Sequence, residues 1–290
     1  VFLMKVAFFL LFGLMEVYSA FLFAQTETEI YALSMQSIDG NISFGSPENI
    51  TNNSGYDSQP SFFDANTLLF SSTQNDQTDI ARYSFENKTK TWLTSTLVGS
   101  EYSPLLIPGD QAVSAIRLDT TGLQRLYRYP LSGEKSKPIF EEAKIGYHIW
   151  INAWQLLATI LVDNRMDLSF ADTEKGTIVN VFQDVGRSLH RIPNSNKLSF
   201  VQTTEERSTV YAFDPLTGQI ESLIALGFSI VDMYWFSATT FLYSSGTKIY
   251  ALDASSGEVA LFYQSSLANV EQITRLLISP DKTQLIFVGE

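Results

Sequence analysis

Two histidines are the residues of this chain whose type and spacing first suggest chemistry. His148 and His190 are its only imidazoles, they lie 42 residues apart, and Asp232 follows after another 42. Two imidazoles and a carboxylate could together hold a divalent ion such as Zn²⁺ or Ca²⁺, or bind an anionic ligand. The spacing therefore makes these three residues candidates for one site.

Neighbouring side chains extend this candidate set. Arg191 adjoins His190 and could recognise an anion, as could Arg187, while Trp150 and Trp154 could stack on a carbohydrate. The alternative is structural: hydrogen-bonded histidines, ion-paired arginines, and tryptophans packed between sheets. A dedicated metal site would need a further ligand, and partners that fix the ring orientations. The predicted ligand-binding residues are His148, His190, Asp232, Arg191 and Trp150, with no catalytic residue and no metal site.

Several chemistries have no motif in the sequence. The chain contains no cysteine, which excludes disulfides, thiolate metal sites and a cysteine nucleophile. It also lacks the Gly-x-Ser-x-Gly nucleophile turn, glycine-rich phosphate loops and His-Glu-x-x-His. No cofactor is predicted, although binding of a Ca²⁺ or Zn²⁺ ion near the histidines is kept as an alternative.

The elements that must position these residues are repeats. Residues 274–288 read as an apolar strand, a Pro-Asp turn and a second apolar strand, and similar stretches occur five times upstream. Alignment of the copies gives successive steps of 44, 44, 42, 42 and 45 residues between the positions Pro60, Pro104, His148, His190, Asp232 and Leu277. A period in the forties that contains only strand patterns predicts the blades of a β-propeller.

The two ends of the repeat array predict how the ring closes. Residues 29–44 resemble the second half of a repeat and residues 274–288 the first half, so together they complete one blade. Five whole blades and this shared one give an all-β, six-bladed propeller. We expect it to be closed by N-terminal outer strands that pair with C-terminal inner strands, which leaves no open sheet edge.

This architecture would bring the candidate residues to the central channel. The first strand of each propeller blade is the innermost one, so the alignment places His148, His190 and Asp232 near one mouth. The loops between second and third strands are predicted on the same face, and their acids include Asp119 and Asp163. They could form an acidic rim for a cation, a sugar or a basic peptide, although polar turns without a ligand are favoured.

Charge and the first segment bear on location and partners. The net charge of -12 argues against a nucleic-acid partner, because phosphate binding needs clustered Lys and Arg. Residues 1–24 are almost wholly apolar and resemble a secretory signal peptide, with an uncleaved membrane anchor as the alternative. We therefore expect residues 25–290 to form the propeller of a periplasmic or secreted protein.

The repeats resemble those of TolB-like six-bladed propellers. The resemblance covers residues 25–290 and rests on the stretches 47–51, 56–60 and 69–72, on Asp79-Ile80 and on Ser279-Pro280-Asp281. Lys282 stands where that family usually has glycine. The resemblance implies an exported interaction scaffold.

The predicted function is accordingly a monomeric, non-catalytic scaffold in the cell envelope. It would bind an envelope or extracellular protein, with a small ligand or a glycan as alternatives. The rival prediction is a propeller enzyme with its site at the channel mouth, either a glycan hydrolase or lyase or a metal-dependent esterase or lactonase. Such an enzyme would need convergent carboxylates of perturbed acidity.

Overall fold

The computed structural model describes residues 27–290, and all the regular secondary structure in that range is β-strand. The strands form six antiparallel sheets, the blades of a propeller. The predicted all-β, six-bladed fold is therefore confirmed. No helix within residues 27–290 is long and apolar enough to cross a membrane. The predicted leader, residues 1–24, lies outside the described residues.

The strands are numbered in chain order. The described chain starts with β1 (Glu29–Ile38), β2 (Asn41–Phe44) and β3 (Glu48–Asn49). Blade 1 contains β4 (Asp57–Asp64), β5 (Thr67–Gln74), β6 (Gln77–Ser84) and β7 (Thr89–Trp92). Blade 2 contains β8 (Ser100–Leu106), β9 (Ala112–Leu118), β10 (Gln124–Pro130) and β11 (Lys137–Pro138). Blade 3 contains β12 (Ile145–Trp150), β13 (Gln155–Val162), β14 (Arg165–Asp172) and β15 (Thr177–Phe182).

The remaining strands complete the ring. Blade 4 contains β16 (Leu189–Arg191), β17 (Leu198–Thr203), β18 (Ser208–Phe213) and β19 (Ile220–Ala225). Blade 5 contains β20 (Met233–Trp235), β21 (Thr240–Ser245), β22 (Lys248–Asp253) and β23 (Val259–Gln264). The last two strands are β24 (Ile273–Ile278) and β25 (Gln284–Gly289).

Blade 6 is built from both ends of the described chain. Its strand order is β2-β1-β25-β24, and β3 also pairs with β1. Ala32 of β1 lies opposite Ile286 of β25. The rings of Tyr31 and Phe287 stack across the same junction with centroids 5.2 Å apart, and Asn269 Nδ2 donates a hydrogen bond to the Tyr31 hydroxyl at 2.7 Å. This pairing confirms the predicted closure of the ring.

The core is divided among the interfaces between blades. Each of the six pairs of adjacent blades shares a cluster of buried apolar side chains. Leu156, Leu157 and Ala158 of the second strand in blade 3 are all fully buried, because that strand is covered on both faces. The fourth strand is the outermost and exposes residues such as Val179. Burial on both faces explains why the second strands read as continuous apolar runs.

Candidate functional site

A cavity of about 500 Å³ opens into the channel on the face that carries the turns between first and second strands. We call it the mouth cavity. Its wall is mainly apolar and comes from inner strands and their turns, with Pro104, Pro108, Leu189, Pro193, Tyr234 and Pro280 among the residues that line it. Such a concave, largely apolar surface is typical of ligand sites in proteins.

A second cavity of about 490 Å³, the rear cavity, opens on the opposite face. Tyr56, Ser58, Ser244, Gln272 and Thr274 line it, and it is therefore richer in hydroxyl and amide groups. Three charged residues, Arg187, Asp232 and Arg275, line both cavities. These three residues, which we call the channel partition, thus lie between the two openings.

Asp232 carries the negative charge of the channel partition. The chain between blades 4 and 5 places it directly before β20, and its side chain is only 7% exposed. Its Oδ2 lies 3.3 Å from Arg275 Nη1 of blade 6, and its Oδ1 lies 3.6 Å from His190 Nε2 of blade 4. Burial favours the neutral acid, but the charge of Arg275, the hydrogen bond with His190 and the charge of Arg187 outweigh it and hold the pKa of Asp232 well below its usual range. Asp232 is therefore a fixed anion.

Arg187 is the less well paired of the two arginines. Its Nη2 donates a hydrogen bond to the carbonyl of Thr274 at 2.8 Å. Its Nε is buried and has no acceptor among residues 27–290. Burial, followed by repulsion from Arg275, lowers the pKa of Arg187 despite the attraction of Asp232. The channel partition thus holds two guanidinium groups and one carboxylate.

His190 and Asp232 come together as predicted, but His148 does not join them. Successive residues of a strand point to opposite faces. In each blade the first and second strands form a hairpin. The last residue pair before its turn is Trp150–Leu156 in blade 3, Arg191–Leu198 in blade 4 and Trp235–Phe241 in blade 5. His148 lies two residues before that pair, whereas His190 lies one before it and Asp232 three. His190 and Asp232 therefore share one face of their blades, and His148 lies on the other face. The prediction that the three positions are equivalent is wrong for His148, by one residue.

His148 instead belongs to the interface between blades 2 and 3. Its side chain is buried, its Nε2 lies 2.8 Å from Ser114 Oγ, and burial lowers its pKa to about 3. Trp150 Nε1 donates a hydrogen bond to the same Ser114 Oγ at 2.8 Å and is only 4% exposed. Both side chains thus have partners within the core, although they also border the mouth cavity.

Arg191 lies at the edge of the mouth cavity. Its Nη2 donates hydrogen bonds to the carbonyls of Trp150 and Ile151, at 2.7 and 2.5 Å, which connects blade 4 to the first turn of blade 3. Trp154, in that same turn, is 42% exposed. The structure therefore gives Arg191 a role in joining two blades. Trp154 is more accessible than Trp150.

The acidic loops between second and third strands do not surround the mouth cavity. That cavity is bordered by turns between first and second strands, whereas Ser245 and Gly246 of a second-to-third turn border the rear cavity. Asp79 and Asp167 are buried at the start of third strands and accept backbone hydrogen bonds from Thr96 and Asp184, at 2.9 and 3.0 Å. The predicted placement on the histidine face is wrong, and these two acids fix loops.

Two residues of the site were not predicted from the sequence. The alignment had matched Leu277 to His190, and Arg275 lies two positions before Leu277. Because residues two apart on a strand share a face, Arg275 lies on the channel side. Tyr56 adjoins the predicted first strand of blade 1 and lies close enough to Arg275 and Arg187 for their charges to affect its pKa. Within residues 27–290 no group of three or more His, Cys, Asp or Glu side chains is arranged to hold a metal ion.

Comparison with known proteins supports the fold. No protein-family model and no curated protein sequence matches the chain. Among solved structures, a protein assigned as TolB from Agrobacterium tumefaciens aligns with a TM-score of 0.68 at 10% identity, over 91% of this chain and 98% of that one. A chain of a nidogen/laminin complex aligns with a TM-score of 0.62 at 12% identity, over 91% and 98%.

An enzyme shares the same architecture. An oligogalacturonate lyase from Vibrio parahaemolyticus aligns with a TM-score of 0.55 at 10% identity, over 91% of this chain and 98% of that one. The chain is thus similar in fold to TolB-like propellers, as its repeats predicted. Because one fold serves many functions, a role must be argued from the site.

Proposed function

We propose that this chain is an exported binding propeller that holds a segment of a partner protein in the mouth cavity. The observation that carries the proposal is the form of that cavity: a largely apolar wall of prolines, leucines and a tyrosine that ends at the charged channel partition. Apolar walls supply affinity for apolar side chains, and a few fixed polar groups at the end set orientation. The export part of the proposal rests on the signal-like residues 1–24.

The chemistry of the channel partition favours binding over catalysis. Asp232 stays ionised because of its cationic neighbours, so it is a poor proton donor, and its lowered pKa makes it a weak proton acceptor; guanidinium groups do not accept protons. His148 is held in the core, which leaves His190 as the imidazole on the channel side. The likeness to a nidogen/laminin chain supports a protein partner, whereas the likeness to a lyase supports the enzyme alternative.

A random-peptide library provides a test that needs no known partner. Peptides selected on the wild-type protein would be titrated against Ile149→Glu, which places a charge on a half-buried residue of the mouth cavity wall. Leu216→Glu, at an 80% exposed residue in the turn between β18 and β19, is the matched control. We expect the first variant to weaken binding by at least roughly tenfold and the control to leave it unchanged.

Two outcomes would contradict the proposal. The first is that no peptide is enriched, or that the Ile149 variant binds as well as the wild type. The second is turnover of uronate oligosaccharides or lactones by the wild-type protein that is lost in His190→Gln, which would establish the enzyme alternative. Circular dichroism on each variant verifies that the propeller is intact.

A further inference from the structure

The rear cavity contains an unbalanced set of buried charges. Arg187 and Arg275 reach it from blades 4 and 6, and Asp232 is the one carboxylate beside them in the channel partition. Glu290 also lines the rear cavity but is exposed at its edge. Burying a cation without a counter-ion is costly, so this arrangement leaves one guanidinium group short of a partner.

Hydrogen-bond donors line the rear cavity beside the two arginines. Arg187 keeps a buried Nε without an acceptor among the described residues. Arg275 lies over the ring of Tyr147, with its guanidinium carbon 5.6 Å from the ring centroid. The hydroxyls of Tyr56 and Ser58 line the cavity beside them. Guanidinium and hydroxyl groups are the donors that oxyanions accept from in proteins.

We propose that the rear cavity binds an oxyanion, a carboxylate or phosphate group, through Arg187 and Arg275. The oxyanion balances the second guanidinium charge and accepts hydrogen bonds from the guanidinium groups that line the cavity. Arg275 takes part while it stays paired with Asp232, and the Tyr56 hydroxyl completes the donor set. This site shares the channel partition with the mouth cavity but opens on the opposite face, and it does not depend on a peptide being bound in the mouth cavity.

Calorimetric titration of the wild-type protein with sodium phosphate, and separately with sodium acetate at matched ionic strength, tests the site. We expect binding of one anion per chain, and at least a roughly tenfold weaker affinity in Arg187→Gln, because a hydrogen-bonded charge is lost. Arg207→Gln is the control, since Arg207 is exposed in a second-to-third turn, the class of turn that borders the rear cavity. Tighter binding of phosphate or of acetate identifies the source of the oxyanion.

The proposal is overturned if neither anion binds. It is also overturned if the Arg187 and Arg207 variants weaken binding equally, since that result shows general attraction to surface charge. Should Arg187→Gln fail to fold, Tyr56→Phe removes only one hydroxyl and is expected to weaken binding about two- to tenfold. Unchanged affinity in that variant would then count against the site. The titration contains no peptide, so the absence of anion binding would not contradict the mouth-cavity proposal, which is tested with peptides.

Discussion

The Asp232 carboxylate of blade 5 contacts the Arg275 guanidinium of blade 6 at 3.3 Å, across the boundary between the last complete blade and the blade that closes the ring. Both side chains are mostly buried. The pair therefore joins blades 5 and 6 within the channel partition, whose residues line both cavities.

Loss of this pair should destabilise the propeller. Asp232→Asn keeps the shape of the side chain but leaves Arg275 and Arg187 without their anion. We expect a loss of about 3–5 kcal/mol in the free energy of unfolding, as for other buried pairs that lose one partner. Urea denaturation followed by tryptophan fluorescence measures it.

The control for this prediction is Asp163→Asn, an exposed aspartate in the turn between β13 and β14, which should change stability by about 0.5 kcal/mol or less. The double variant Asp232→Asn, Arg275→Gln should lose less than the sum of its single variants, because each removes the interaction with the other. Full additivity would show that the two side chains do not interact.

Two tryptophans should contribute to stability through equivalent hydrogen bonds, each to a buried serine. Trp150 Nε1 donates to Ser114 Oγ at 2.8 Å and Trp235 Nε1 donates to Ser199 Oγ at 2.7 Å, both in buried positions. Replacement of either by phenylalanine removes one buried hydrogen bond and should cost about 1–3 kcal/mol. Trp154→Phe, at the exposed tryptophan, should cost about 0.5 kcal/mol or less. Equal costs at positions 150 and 154 would contradict a structural role for Trp150.

Ring closure can be tested by cross-linking, since the chain has no cysteine of its own. Ala32→Cys combined with Ile286→Cys places two thiols at paired positions of β1 and β25. We expect an intramolecular disulfide on mild oxidation, with the oxidised form about 2–4 kcal/mol more stable than the reduced form. Leu33→Cys with Ile286→Cys is the control, because these side chains point to opposite faces. Cross-linking of both pairs at the same rate would contradict the register.

Glu101 predicts a pH dependence of stability. It is fully buried, and burial raises its pKa although Thr94 and Thr96 donate hydrogen bonds to it. A folded-state pKa above the unfolded value gives a contribution that is fully present below the unfolded pKa and lost as pH rises through the folded pKa. The stability of the wild type relative to Glu101→Gln should therefore be greatest below about pH 4.5 and smaller at about pH 7. An identical difference at both pH values would contradict this prediction.

The fold was predictable because the repeats record it at several levels. The apolar second strands, the Pro-Asp turn of residues 280–281 and the incomplete repeats at both ends all indicate six blades. Turn glycines agree as well: Gly218 and Gly257 adopt φ of 73° and 76°, a conformation that glycine reaches at little cost.

The site was only partly predictable, because a displacement of one residue reverses the face of a strand. Alignment by repeat length brought His190 and Asp232 together but also placed His148 beside them. The positive φ of Gln59 and Ser103, at 58° and 51°, marks irregular pairing in the inner strands of blades 1 and 2, where no motif indicates the change of register. Which charges end up paired depends on distances between blades, and a single sequence does not contain them.

Hydrogen–deuterium exchange of the wild-type protein, with and without the tightest peptide from the library, tests the central claim most directly. If a partner segment lies in the mouth cavity, protection should be concentrated in residues 103–108, 190–193 and 277–280, where inner strands meet their turns. Protection confined to the outer strands or to the residues around the rear cavity would contradict the proposed binding site.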